Sequence, residues 1–136
     1  MVLEKSTLFH LLDSLMEMPR INTDEIVKEF GKWDNPTDVM KAGKVAIKKI
    51  NELFETGVTF NQETTLCGNS ILKNIRRAKS KVYYVEIHYV GVDSVDIAKQ
   101  RVKVRVEKGG HGIPELDIER RYLETFENRR KVVCLW

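Results

Sequence analysis

The sequence is organised around residues 100–121, which read Q-R-V-K-V-R-V-E-K-G-G-H-G-I-P-E-L-D-I-E-R-R. It predicts two helical arms that meet at a glycine corner containing His111. Four arginines lie on the arms: Arg101, Arg105, Arg120 and Arg121. Arg101 and Arg105 are separated by one helical turn and therefore project from the same face. Because a guanidinium group donates two parallel hydrogen bonds to phosphate oxygens, the corner indicates a polyphosphate site.

The same residues have a second interpretation. A pair of basic helices joined by a glycine turn is also typical of a solvated surface, because most charge runs face water. On residue types alone both interpretations stay open. The other motifs of the chain are needed to choose between them.

The composition is that of an ordinary globular protein, with 136 residues, 42% hydrophobic and 32% charged, and a net charge of +3. This length predicts one domain, residues 1–136, that buries roughly 68% of its unfolded surface. The charge lacks the concentrated basic stripe typical of nucleic-acid binding. No apolar run approaches the ~20 residues of a membrane helix, and Cys67 and Cys134 have neither metal nor disulfide spacing. We therefore expect a cytoplasmic protein that contacts neither nucleic acid nor membrane.

Three separated motifs carry a resemblance to a known family. Residues 21–26 read I-N-T-D-E-I and residues 60–68 read F-N-Q-E-T-T-L-C-G. The corner continues as R-V-x-x-R-V-x-x-G-G-H-x-I-P-x-x-x-I-x-R-R-Y. In this order and spacing they closely resemble the zeta-toxin-like P-loop kinases, the group also described as predicted ABC-type ATPases. The resemblance covers most of the chain, from about residue 5 to residue 128.

The resemblance, together with the alternation of strand-like and helix-like segments, implies an α/β fold. The expected architecture is P-loop NTPase-like, a mostly parallel sheet flanked by helices and lacking the usual first strand. Residues 81–90, K-V-Y-Y-V-E-I-H-Y-V, are the expected central strand, and residues 58–64 are a second one. A long helix is predicted from Thr37 or Asp38 to Thr56, with Gly57 as its stop. Against the family, both ends of the chain look truncated.

The resemblance implies ATP and magnesium as cofactors. In a P-loop, a lysine reaches the β- and γ-phosphates and a hydroxyl binds magnesium. By resemblance Lys5 is that lysine and Ser6 is the magnesium ligand, with Thr7 beside them and Arg105 also holding the nucleotide. Glu4 stands where the last glycine of the loop belongs, so ATP binding is expected to be weak or lost. A capped N-terminal helix is the other interpretation of these residues.

The resemblance also implies a reaction, transfer of the γ-phosphoryl group to a hydroxyl of a small, UDP-sugar-like acceptor. Asp24 corresponds to the base that accepts the hydroxyl proton, although an aspartate that caps a helix is an equally physical interpretation. Arg101, with Arg120 or Arg121, corresponds to the clamp on the transferring group. The implied acceptor-binding residues are Glu63, Thr64, Thr65 and His111.

Two further interpretations stay open. In the first, the chain is a non-catalytic remnant that acts as a weak nucleotide-binding or protein-interaction module. In the second, it is a toxin component whose nucleotide site is covered by an antitoxin protein. A cap of the following helix is likewise a second interpretation of Thr65 and Asn69.

Overall fold

The computed structural model describes residues 12–135, which form two compact units divided between Glu63 and Thr64. Six helices and two short strands lie in this part of the chain. None of these helices is long and apolar enough to cross a membrane. The single-domain organisation expected from the length stays a prediction.

The first unit is built around one long helix. Its elements are α1 (Asp13–Met16), β1 (Arg20–Ile21), α2 (Thr23–Lys28), α3 (Pro36–Thr56) and β2 (Asn61–Gln62). Helix α3 begins where the Asn35 side chain accepts a hydrogen bond of 2.9 Å from the Thr37 amide, with Pro36 in the first turn. Gly57 ends it with a φ of 68°, which glycine adopts without strain. The predicted long helix and its stop are confirmed.

One face of α3 supplies much of the core of the first unit. Ala42, Ala46, Ile50 and Phe54 recur every four residues and are all buried, as expected for one side of a helix. Helix α2 and strand β1 contact α3, and they contribute the remaining buried apolar side chains: Ile21, Ile26 and Val27. Burial of each large apolar side chain stabilises the unit by about 1.5–3 kcal/mol.

The second unit contains α4 (Ser70–Ser80), α5 (Val95–Glu107) and α6 (Glu115–Cys134). Helix α6 contacts both α4 and α5. One apolar cluster joins α4, α6 and the loop before α4: Leu66, Ile71, Leu72, Ile75 and Val132. Ser94 caps α5, since its hydroxyl accepts from the Ile97 amide at 3.2 Å.

The expected mostly parallel, P-loop NTPase-like sheet is wrong. Within residues 12–135 the sheet consists of β1 and β2 alone, a parallel pair of two residues each. Residues 81–90, the expected central strand, run without a strand partner in the described structure, and Tyr84 is 90% exposed. A β-branched and aromatic composition shows that a segment suits a half-buried pleated surface, but it does not supply the neighbouring strand.

The C-terminal ends of two helices include the first residues of both predicted strands. Val82 has a φ of 63°, and the Tyr83 amide donates to the Ala78 carbonyl at 3.0 Å, so this segment begins as the C-terminal cap of α4. Similarly, the Val58 amide donates to the Leu53 carbonyl of α3 at 3.2 Å. Of the strand predicted at residues 58–64, only β2 remains.

Candidate functional site

The polar residues of the first unit gather where its two strands end. The strands are parallel, with Ile21 opposite Gln62, and the Glu63 amide donates to the Ile21 carbonyl at 2.9 Å. Asn22 and Glu63 therefore follow β1 and β2 at the same edge. Carboxyl ends of parallel strands are where ligands bind in many α/β proteins. This edge is the candidate site.

The carboxylate of Glu63 is held at both oxygens. Arg20 donates from Nε to Oε1 at 2.7 Å, and its Nη2 donates to the same oxygen. Asn22 donates from Nδ2 to Oε2 at 2.7 Å. The Glu63 side chain is only 14% exposed, so these charge-assisted bonds, each worth about 1.5–3 kcal/mol, fix its orientation.

Asn22, and not Asp24, caps helix α2. Its side-chain oxygen accepts from the amides of Asp24 and Glu25, at 3.0 and 3.4 Å. Asp24 is therefore one position past the first helical residue, and the capping interpretation of its carboxylate is wrong. The side chain of Asp24 is exposed, and no hydrogen bond or ion pair engages its carboxylate within residues 12–135.

The second unit fixes the T-T-L-C-G segment against helix α6. The Gly68 amide donates to Oε1 of Glu124 at 2.8 Å, and the Thr125 hydroxyl donates to the Thr65 carbonyl at 2.8 Å. Asn128, a buried residue of α6, donates to the carbonyls of Leu66 and Gly68.

The two threonines of this segment take part in hydrogen bonds that shape the backbone. The Thr64 hydroxyl accepts from the Leu66 amide at 3.1 Å, while Thr65 accepts through its carbonyl. Asn69 stands at the N-cap position of α4, but no side chain makes a capping hydrogen bond there. The interpretation of Thr65 or Asn69 as the side-chain cap of α4 is therefore wrong. The role of both threonines in acceptor binding stays a prediction.

The glycine corner closes helix α5. Gly109 has a φ of 81°, and the Gly110 amide donates to the Arg105 carbonyl at 2.9 Å, which is the hydrogen-bond pattern of a Schellman turn. At Gly110 a Cβ atom would lie 2.9 Å from that carbonyl oxygen. The left-handed residue of the corner is therefore Gly109. At Gly110 the absence of a Cβ atom lets the backbone pass close to the Arg105 carbonyl.

Arg105 folds back over this corner. Its Nε donates to the His111 carbonyl at 2.6 Å. Its Nη2 is buried and has no hydrogen-bond partner within the described residues. A buried guanidinium nitrogen is costly to leave unpaired, so Arg105 retains one unused donor, which is closed to solvent in this arrangement.

The other predicted arginines differ in their surroundings. Arg120 pairs with Asp117 at 3.5 Å and with Glu124 at 3.0 Å, both on its own helix. Arg121 is half-buried, and its carbonyl accepts from the Cys67 thiol at 3.4 Å. Arg101 is half-buried and forms no ion pair with another described residue. Arg120 is thus neutralised by carboxylates of its own helix, whereas no ion pair of Arg101 or Arg105 is found among the described residues.

The predicted phosphate and magnesium ligands Lys5, Ser6 and Thr7 lie outside the described residues. Within residues 12–135 no group of three or more histidine, cysteine, aspartate or glutamate side chains could hold a metal ion.

Sequence reasoning missed three residues that organise these sites: Arg20, Asn22 and Asn128. Asn22 had a local signal, because asparagine is among the strongest capping residues and stands directly before the first turn of α2. Arg20 and Asn128 act on residues that are 43 and 62 positions away, and no local pattern reports such pairs.

Comparison with known proteins places the chain in a family. A protein of Haemophilus influenzae (strain ATCC 51907 / DSM 11121 / KW20 / Rd) is 33% identical over 102 residues, which are 75% of this chain and 73% of that protein. The chain belongs to the family of this protein. The Haemophilus member is described as an uncharacterized protein. No protein-family model matches the chain, and no solved structure matches it.

Proposed function

We propose that the chain is a phosphotransferase that moves the γ-phosphoryl group of ATP to a hydroxyl of a small acceptor, with Asp24 as the base. The position of Asp24 carries the proposal. Asn22 performs the capping of α2, which leaves an exposed carboxylate beside the edge where β1 and β2 end. A carboxylate at such an edge suits a proton acceptor better than a structural role. The proposal rests on the residues of the zeta-toxin-like motifs and not on the expected sheet.

Glu63 orients the acceptor in this proposal. Its two oxygens are fixed by Arg20 and Asn22, yet an ionised carboxylate offers about four acceptor positions in all. A remaining lone pair can accept a hydrogen bond from a sugar-like hydroxyl. Since protein donors already hold the Glu63 carboxylate, its side chain loses little further conformational entropy when an acceptor binds.

Asp24 takes the proton. As the acceptor oxygen attacks phosphorus, its hydroxyl proton passes to the Asp24 carboxylate, and the bond between the γ-phosphorus and its bridging oxygen breaks. General-base assistance of this kind contributes typically about 10²–10⁴-fold.

The resemblance assigns Arg101 and Arg105 to the phosphates of ATP, and this assignment remains a proposal about the second unit. Nη2 of Arg105 has no hydrogen-bond partner within the described residues, so it is the donor of that side chain that is not yet used. Arg120 fits this task less well, since Asp117 and Glu124 already neutralise it. Lys5, Ser6 and Thr7 remain proposed ligands of the nucleotide, Ser6 through magnesium. Weak nucleotide binding is expected, with a dissociation constant well above micromolar.

The test is turnover of ATP with a panel of UDP-sugars and simple sugar alcohols, followed by phosphorus NMR. Asp24→Asn should lower the rate about 10²–10⁴-fold while acceptor binding is retained. Glu25→Gln is the matched control, since Glu25 is an exposed carboxylate one residue later and should leave the rate within twofold. A parent and an Asp24→Asn protein with equal rates would contradict the role of Asp24.

A non-catalytic module is the second candidate. Pairing of Arg120 within its own helix and the exposed apolar side chains Leu116 and Leu123 of α6 favour it. Binding of ATP without turnover of any acceptor on the panel would support this candidate. The antitoxin partner and the cytoplasmic location belong to the proposal as well; the free thiols of Cys67 and Cys134 suit a reducing compartment.

A further inference from the structure

The outer face of helix α3 carries an apolar seam. Met40, Gly43 and Ile47 follow one another at spacings of three and four residues, which aligns them along one side of a helix. Met40 is 66% and Ile47 is 61% exposed. Between them, a Cβ atom added at Gly43 would meet nothing within 4 Å. The seam is therefore open at its centre and apolar at both ends.

A row of lysines runs beside this seam. Residues 39–51 contain four lysines and no acidic residue. Lys41, Lys44 and Lys48 are exposed. Helical spacing places Lys44 next to the seam and Lys48 and Lys41 farther round on the same side, whereas Lys49 projects from the other side of the helix. Lys41 also lies over the ring of Phe30, with Nζ 5.4 Å from the centroid. Over residues 39–51 the surface is thus apolar along one line and positive on one side of it, and the exposed Glu52 and Glu55 end the positive row.

We propose that this seam docks an acidic amphipathic helix of a partner protein. Apolar residues at spacings of three and four match the a and d positions through which two helices pack. A glycine at the centre lets a second helix approach closely. Glutamate or aspartate residues that flank the apolar stripe of the partner would then face the lysine row, and such complementarity sets partner choice. The methionine at one end adapts to partner side chains of different shape.

Other polyanions fit this surface less well. A helix that lies in a membrane interface buries its whole apolar face in lipid, but the main apolar face of α3 is already buried in its own unit through Ala42, Ala46, Ile50 and Phe54. Single-stranded nucleic acid is held by aromatic side chains on which bases stack. Residues 39–51 contain no aromatic side chain, and Lys41 lies over the nearby Phe30 ring.

The probe for this surface is a fluorescein-labelled peptide of three heptads, with leucine at a and d and glutamate at e and g. Anisotropy with the full chain should show saturable binding that weakens with added salt, as expected for charged partners. Lys44→Glu should weaken binding at least tenfold. Lys49→Glu is the matched control, because it makes the same charge change in the same helix away from the seam, and it should stay within twofold. A peptide with lysine in place of glutamate should not bind.

A further variant tests the seam itself. Gly43→Gln keeps the charge but fills the open centre, and it should weaken binding at least tenfold while circular dichroism and Tm show a folded chain. Equal effects of Lys44→Glu and Lys49→Glu would overturn the proposal, as would the absence of saturable binding. Lys44-dependent binding of anionic vesicles or of oligouridine, without peptide binding, would assign the surface to lipid or to RNA instead. Parent dimers that Ile47→Glu converts to monomers would assign it to a second copy.

Discussion

The buried side-chain amide of Asn128 donates a hydrogen bond of 2.8 Å to the carbonyl of Leu66, which lies 62 residues earlier in the chain. The same nitrogen reaches the carbonyl of Gly68 at 3.0 Å. Leu66 has a φ of 59°, a left-handed conformation that costs a non-glycine residue about 1–2 kcal/mol. The segment between Thr64 and Gly68 therefore keeps its shape because α6 holds it.

Replacement of Asn128 should accordingly be costly. Asn128→Ala removes two hydrogen bonds, leaves two carbonyls without these donors and opens a cavity, so we expect a loss of about 2–4 kcal/mol in the free energy of unfolding. Urea denaturation followed by circular dichroism measures it. Glu127→Ala, a change at the exposed neighbour, should stay within about 0.5 kcal/mol of the parent. If the two variants are equally stable, the bonds to the loop contribute nothing.

The bridge between Asn22 and Glu63 predicts a graded series. Asn22→Ser keeps a capping oxygen for α2 but loses the donor to Glu63. Asn22→Asp also keeps the cap, yet it brings a second negative oxygen to the place where Nδ2 now lies 2.7 Å from Oε2 of Glu63. We expect Asn22→Asp to be less stable than Asn22→Ser by about 1–3 kcal/mol. Thermal unfolding at neutral pH ranks the two, and the opposite order would contradict the bridge.

Val82 offers a stabilising change. It is a β-branched residue with a φ of 63° and is 92% exposed, so glycine removes steric strain without loss of packing. We expect Val82→Gly to raise the free energy of unfolding by about 0.5–1 kcal/mol, the left-handed penalty less the greater backbone entropy of glycine. Val104→Gly, inside helix α5, is the control and should be destabilising. A fall in the Tm of Val82→Gly would show that the backbone at residue 82 is not left-handed in solution.

Lys99 predicts a dependence on alkaline pH. Its hydrogen bond with Glu119 raises the pKa of Lys99 above its ordinary value of 10.5, and the charges of Glu119, Glu115 and Asp96 act in the same direction. Because the folded pKa is the higher one, the stabilisation is fully present below pH 10.5 and is lost as the pH rises through the folded pKa.

Urea midpoints at pH 8 and at about pH 11 test this expectation. The parent should lose more stability between these two conditions than Lys99→Met, which has no ammonium group to titrate. Lys103→Met, at an exposed position on the same helix, should retain the pH dependence of the parent. If the urea midpoints of the parent and of Lys99→Met change equally between the two pH values, the ion pair of Lys99 does not stabilise the folded state.

Local signals predicted the helices well. Helix α3 was predicted to start at Thr37 or Asp38 and begins one residue earlier, at Pro36, while its stop at Gly57 is where the glycine predicts it. The pairing of Arg120 was readable too, since Asp117 and Glu124 stand three and four residues away and salt bridges at that spacing are common.

Local sequence patterns could not predict the sheet or the contacts within the site. Residues 81–90 have the composition of a strand, but pairing depends on a second segment that the pattern does not specify. The resemblance implied Glu63 as an acceptor-binding residue, whereas nothing in the sequence pointed to its hydrogen-bond partner Arg20. Two equally good capping residues, Asn22 and Asp24, stand close together, and only the backbone geometry decides which of them caps.

The parallel strand pair also constrains the order in which the first unit folds. Asn22 and Glu63 are 41 residues apart. Closing so long a loop costs chain entropy, and strands of two residues form few hydrogen bonds to offset that cost. Helix α3, which needs only contacts between near neighbours in the chain, can form within about a microsecond. We therefore expect the carboxylate edge at Glu63 to assemble after helix α3 and to be among the first parts of the unit to open.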